Sequence, residues 1–314
     1  MPSTVSRRLT PAALLLPLLL VTSACAGDDA AGDSAEASPS AAAEDFPVTV
    51  TGDDGELTLD QRPENIVSMS ATATEMLFAV GAGEQVEAVD STSNFPAEAP
   101  VTDLSSFTPN AEAIAAYAPD LVVLSDDLNG IVAALDALEV PTLLLGAADS
   151  LDDSYTQLQT LGEATGHADA AAEVVADVQE RVEAAVASVP AETQGMRVYH
   201  ELDPSFFSAT SETFIGGIYT LFGLENIADG AADTAGGYPQ LSAEYVVGQA
   251  PDVVVLADTV CCAQDAAALA QRPAFDTVPA VQEGRVLEAD DDIASRWGPR
   301  VADFAEDVAG VLQG

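Results

Sequence analysis

A sixteen-residue segment occurs twice in this chain. Ala111–Asp126 reads AEAIAAYAPDLVVLSD and Ala243–Asp258 reads AEYVVGQAPDVVVLAD, with nine of sixteen positions identical at a constant offset of 132. Each copy predicts a helix with an early glutamate, a stop at Ala-Pro, a buried apolar strand and a closing aspartate. Proline cannot continue a helix and turns its predecessor away from the helical region, so both helix ends are sharply marked. A helix–strand unit cannot bury its apolar faces alone, and two copies imply two half-domains of similar build. A weaker echo is Ser70-Ala71-Thr72 against Ser208-Ala209-Thr210, each before an apolar helix.

The rest of the chain fits that frame. Short β-branched runs alternate with helical stretches, which predicts an α/β fold. Strands are expected at Ile66–Met69, Val86–Val89, Leu121–Leu124, Thr142–Leu145, Val198–His200, Val253–Leu256 and Val286–Glu288. Between the repeats, Ala168–Val189 runs without Gly or Pro. As a helix rising 1.5 Å per residue it would be about 33 Å long, enough for a rigid spine between lobes. The alternative is an ordinary surface helix within one larger domain. The division read from this is a lobe over 46–165, a connecting helix over 166–190 and a second lobe over 191–314.

Charge narrows the function. The chain of 314 residues carries 52 acids against nine bases, all arginine, for a formal charge of −43. A nucleic-acid binder needs clustered cations to meet phosphates, and this chain lacks them. An anionic membrane surface would repel it. Two histidines, His167 and His200, make an all-protein histidine-rich metal site improbable on composition alone. Such an acidic, lysine-free surface suits high salt, where charge is screened within a few ångströms. Neither GxSxG, HExxH nor a phosphate-cradling glycine loop occurs, so an enzyme is not expected and no cofactor is implied.

The first residues read as an address. Arg7-Arg8 precede the apolar run Pro11–Val21, which ends in Thr22-Ser23-Ala24-Cys25. That is a secretory signal over 1–24, too short to span a bilayer, which needs about 20 apolar residues. Small residues before a cysteine resemble the lipobox of bacterial lipoproteins, with Thr22 in place of the usual aliphatic. The resemblance implies a lipidated Cys25 and an extracytoplasmic, membrane-anchored protein; simple secretion is the alternative, and the arginine pair leaves Sec and twin-arginine export both open. Loss of 1–24 would remove two arginines and no acid, leaving a mature charge of −45 (seven arginines against 52 acids). Residues 25–45 are small and acidic and read as a flexible tether.

The stretches PENIVSMSATATEMLFAVGAG (Pro63–Gly83), the two repeats, TFIGGIYTLFGLENIAD (Thr213–Asp229), YPQLSAEYV (Tyr238–Val246) and GRVLEADDDIASRWGPR (Gly284–Arg300) follow one another in order. Together they resemble the substrate-binding lipoproteins of metal-chelate ABC importers, which take cobalamin, haem or ferric siderophores, and within them most the cobalamin-binding proteins. The resemblance implies two Rossmann-like lobes joined by one long helix, a ligand cleft between them, and a monomer that hands a metal chelate to a permease dimer with its ATPase. A haem receptor of the same fold and a non-catalytic envelope lipoprotein are the alternatives.

It also implies roles. One glutamate on each lobe of the family pairs with permease arginines, and the matching positions are Glu112 and Glu244. Two equivalent charges suit a twofold permease; the competing account is that both simply complement helix dipoles. A planar macrocycle is best held by aromatic faces with a few polar groups, which singles out Phe107, Tyr238 and Trp297 for the cleft. Core packing competes for Phe107 and Trp297. Thr92 stands where the cobalamin-binding relatives carry an aromatic. Arg296 and Arg300 would meet ligand carboxylates or else pair with Asp290–Asp292. Thr210, His200 and Glu201 are expected to face the cleft, His200 as a metal ligand or a hydrogen-bonding group, while His167 is read as an exposed turn residue. Thr72-x-x-Glu75 has capping-box spacing. With Cys25 lipidated, Cys261 and Cys262 have only each other, as a vicinal disulfide or two free thiols.

Overall fold

The computed structural model describes residues 46–314. The expected signal, tether and Cys25 lie outside the described residues. An antiparallel hairpin comes first, β1 (Val48–Gly52) and β2 (Gly55–Leu59). The first α/β unit follows: β3 (Ile66–Met69), α1 (Ala71–Ala79), β4 (Val86–Val89), α2 (Ala111–Ala115), β5 (Leu121–Leu124), α3 (Ile131–Asp136) and β6 (Thr142–Leu144). Two longer helices, α4 (Leu151–Thr165) and α5 (Ala168–Ser188), lead to the second unit. That unit holds β7 (Arg197–Glu201), α6 (Phe214–Leu221), β8 (Glu225–Asn226), α7 (Ala243–Gln249), β9 (Val253–Leu256), α8 (Thr259–Cys262), α9 (Ala266–Gln271), α10 (Pro279–Glu283) and β10 (Val286–Glu288). Helices α11 (Asp291–Ser295) and α12 (Val301–Gln313) end the chain.

The strands form two parallel four-stranded sheets, ordered β4-β3-β5-β6 and β8-β7-β9-β10. Both are the same winding, with the second strand outside the first and the third and fourth on its other side. Ile66 pairs with Leu121 and Val198 with Val253, so the offset of 132 holds between the strand partners as well. The chemistry of the repeat explains why. Asn110 and Ser242 cap α2 and α7, each accepting from the amide three residues on. Ala118 and Ala250 then take left-handed backbone, with φ of 50° and 47°, before Pro119 and Pro251. Asp120 accepts the amides of Glu64 and Asn65, and Asp252 accepts the amide of Arg197. In both copies the aspartate ties the start of the third strand to the start of the first.

One face of each sheet enters a shared apolar core with α5 and α12, through Ile66 and Val123 on one side and Val198 and Val255 on the other. The opposite faces have separate cores, Val67, Met69 and Ile114 in the first unit and Tyr199, Val246 and Phe275 in the second. Helix α5 turns Val175, Val178 and Val182 inward and lies between α4 and α12.

Candidate functional site

In open α/β sheets ligands bind beyond the carboxyl ends of the strands, where the connecting loops gather. Two loops of the second unit make the firmest wall there. Ser208 N–H donates to Pro239 O at 3.0 Å and Thr210 N–H to Gly237 O at 2.8 Å, forming a short ribbon after β7. Gly237, at φ +101°, permits this approach, since a Cβ there would lie 2.7 Å from Thr213 Cγ2. The ribbon presents Phe207 and Tyr238, which are 37% and 44% exposed. Phe107, on the loop before α2, is 71% exposed and so makes no core contact that would account for it.

Beside Tyr238 runs a groove of about 500 Å³ between the start of α4, the middle of α5 and the start of α6. Asp149, Asp152, Tyr155, Glu183, Thr213 and Phe214 are among its lining residues. Burial and the Asp149 carboxylate both raise the Tyr238 phenol, so it stays neutral. Burial, Asp152 and Glu183 push Tyr155 up to about 12. The groove therefore offers neutral hydroxyls, aromatic edges and carboxylates.

Several residues expected in the cleft are engaged elsewhere. Strand alternation sends Tyr199 and Glu201 to one face of the second sheet and Val198 and His200 to the other. Glu201 is fully buried, with Arg272 donating to its two oxygens at 2.6 and 2.5 Å and Tyr199 at 2.9 Å. It is an ion-pair core, not an open ligand contact. His200 points into the shared core, Nδ1 at 2.6 Å from the Tyr219 hydroxyl, and burial lowers it to about 3, so it is neutral at pH 7. Thr210 is buried on the ribbon, and its hydroxyl, like that of Ser208, has no partner.

Arg296 and Arg300 converge on one carboxylate of the first unit. Arg296 donates to Glu75 at 2.8 Å, to Asp292 at 2.7 Å, and to Thr92 O and Asn94. Arg300 grips Glu75 through two bonds of 2.9 and 2.6 Å and lies 4.3 Å from the Phe95 ring centre. Glu75 is therefore no capping-box residue; Ser70 caps α1, five residues earlier, and Glu75 is buried mid-helix. Nor is Arg296 a free cation for a ligand, although the anticipated pairing with Asp292 is present. Trp297 is half-buried, its indole N–H donating to Gln157 on α4 at 2.8 Å, so the packing account fits it better than the cleft. His167 is half-buried, close to Arg62 and Thr165, rather than exposed.

Burial and the Glu201 carboxylate push Asp258 up to about 7. With both groups ionised neither Asp258 oxygen has a donor; protonated, Asp258 bonds Glu201. Cys261 and Cys262 are joined as a vicinal disulfide in α8, where Asp291 accepts the amides of Val260 and Cys261 at 2.9 and 2.7 Å. Sequence reasoning missed the groove acids, Arg272 and the role of Glu75. One available clue was the scarcity of arginine, which makes each one valuable to the acids inside the fold.

Glu112 and Glu244 are exposed in the first turns of α2 and α7. Both helices precede a strand of a parallel sheet, so their amino ends lie at the cleft end of each unit. Among the described residues no group of His, Cys, Asp and Glu could hold a metal ion, and no helix is long and apolar enough to cross a membrane.

Residues 66–293 match the family described as periplasmic binding protein, and the chain belongs to it. It is 27% identical over 304 residues to an uncharacterized ABC transporter substrate-binding lipoprotein of Bacillus subtilis, covering 93% of this chain and 94% of that one. A cobalamin-binding protein of Halobacterium salinarum is 33% identical over 217 residues, 67% of this chain and 58% of the relative. The solved periplasmic vitamin B12 binding protein of Vibrio cholerae shares the fold, with a TM-score of 0.65 at 23% identity over 80% of this chain and 96% of that one.

Proposed function

We propose that this protein is the extracytoplasmic, non-catalytic solute-binding component of an ABC importer, taking a corrinoid or a ferric siderophore into the cleft and presenting it to a permease dimer. A lipidated Cys25 would anchor it and residues 25–45 would tether it. The observation that carries the docking half is the pair of exposed glutamates, Glu112 and Glu244, equivalent in the repeat and set at the cleft end of two like-wound units. Charge-assisted arginine–carboxylate pairs give both register and affinity, and two equivalent ones suit a twofold partner. The chelate half rests on the exposed aromatics Phe107, Phe207 and Tyr238, and on the groove near Tyr238, large enough for part of a bulky guest.

Mixing the purified protein with cyanocobalamin, ferrichrome and haemin, and recording visible spectra and quenching of the single tryptophan, Trp297, tests ligand capture. A response to a corrinoid or siderophore supports it; silence with all three refutes it. For docking, Glu112→Ala combined with Glu244→Ala should leave ligand affinity unchanged and abolish uptake in cells. Lost affinity with normal uptake would overturn that assignment.

A further inference from the structure

Each of the seven described arginines has a partner within the fold. Arg62, Arg197 and Arg285 sit at the amino ends of strands, away from the cleft: Arg62 bonded to Thr165 O and Gln85, Arg197 4.0 Å from Asp252, and Arg285 paired with Glu283. Arg181 holds Asp303 and Glu306 on α12. Arg272, Arg296 and Arg300, the three nearer the strands' carboxyl ends, each hold a buried carboxylate, Glu201 or Glu75. There is no lysine to add. Taking Arg272 to a ligand would strand Glu201, and taking both Arg296 and Arg300 would strand Glu75; a stranded buried carboxylate costs several kcal/mol. Against this, Asp149, Asp152 and Glu183 line the groove as exposed carboxylates.

From that distribution we infer that the cleft selects its guest by charge: it takes neutral or cationic metal chelates and rejects anionic ones. The inference rests on the chelate-binding reading above and names the class of chelate. Among the described residues an anionic guest would find no uncommitted guanidinium and three carboxylates to oppose it. A neutral guest meets the exposed aromatic rings of Tyr238 and Phe207 and the Tyr238 hydroxyl. A cationic one gains the groove acids in addition. The neutral Tyr155 and Tyr238 phenols, raised by burial and by those same acids, agree with a negative potential in the groove.

Charge is separable from shape by using one scaffold at several charges. Ferrioxamine B carries a free ammonium; its N-acetyl derivative is neutral and its N-succinyl derivative anionic. Aquocobalamin, cyanocobalamin and a cyanocobalamin monocarboxylate form a second series. Calorimetric titration of the purified protein should give, in whichever series binds, a dissociation constant that rises on the order of tenfold from the neutral to the anionic member. That ratio should shrink as salt approaches about 1 M, where the screening length falls to about 3 Å. In Asp149→Asn/Asp152→Asn/Glu183→Gln the ratio should fall towards one. An anionic member binding as tightly as its neutral counterpart overturns charge selection and leaves chelate capture standing. Binding by no member of either series overturns chelate capture, and charge selection with it.

Discussion

Met69 and Glu201 occupy the same rung of the two sheets, each paired with the last residue of the neighbouring repeat strand, Leu124 and Leu256. In the first unit that rung is apolar, and the repeat's closing aspartate, Asp126, is exposed. In the second it is a carboxylate; Arg272 must cover it, stacked over Phe206 and Phe275, and the closing aspartate Asp258 is buried beside it. One winding thus supports two interiors. The difference shows that the repeat prescribes backbone and leaves the polarity at the strand ends to a few unrepeated side chains. The first unit has its own buried acid, Asp90, but satisfies it with the hydroxyls of Thr92, Ser93 and Ser106 at 2.6, 2.5 and 2.7 Å, not with an arginine.

The largest effect should come where the units are joined. Glu75→Ala leaves Arg296 and Arg300 partly buried without their shared carboxylate, and should cost about 3–5 kcal/mol in denaturant unfolding. A loss below about 1 kcal/mol would mean that solvent or Asp292 replaces Glu75 at no cost, and that the units are held by apolar packing alone.

Within the second unit, Glu201→Gln should cost about 3 kcal/mol by stranding Arg272. Giving the second unit the first unit's apolar solution, Glu201→Met with Arg272→Leu and Asp258→Ala, should instead be neutral or stabilising by about 1–4 kcal/mol. Equal losses in both variants would show that the charged cluster is required by the fold and is not one of two interchangeable interiors.

A further effect is on pH dependence. Asp258 is raised to about 7 in the folded chain from an unfolded value of 3.8, so between these limits the folded state holds the extra proton. Its contribution to stability is complete below about pH 4 and is lost as pH rises through 7. The melting temperature of Asp258→Asn, compared with the parent at constant salt, should therefore fall less between pH 4 and 7. Parallel curves would place the Asp258 carboxyl in a better-solvated setting than its burial indicates.

Much of the scaffold was legible in the residues. Five of the seven expected strands have the observed limits, and the other two differ only at their ends, Thr142–Leu144 and Arg197–Glu201. The hairpin β1–β2 was missed, though Gly52-Asp53-Asp54-Gly55 between alternating runs is a turn pattern. So was β8, whose two residues are too few to show a period. The cleft was read less well. Tyr238 and Phe107 are exposed, while Glu201, His200, Arg296 and Trp297 are held by partners elsewhere. Local spacing made Glu75 look like a cap because Thr72 precedes it by three; the partners that decide its role lie 221 and 225 residues away.

The linear order of residues was sufficient for the duplicated helix–strand units, their stops and caps, the excess of acid and the paired glutamates. All of these are local in sequence, set by backbone preference, by periodicity of apolar groups and by composition. Which carboxylates receive the few described arginines was decided by packing alone. The free energy of a buried ion pair depends on distance and desolvation between groups far apart in the chain, and neither quantity exists until the chain is folded.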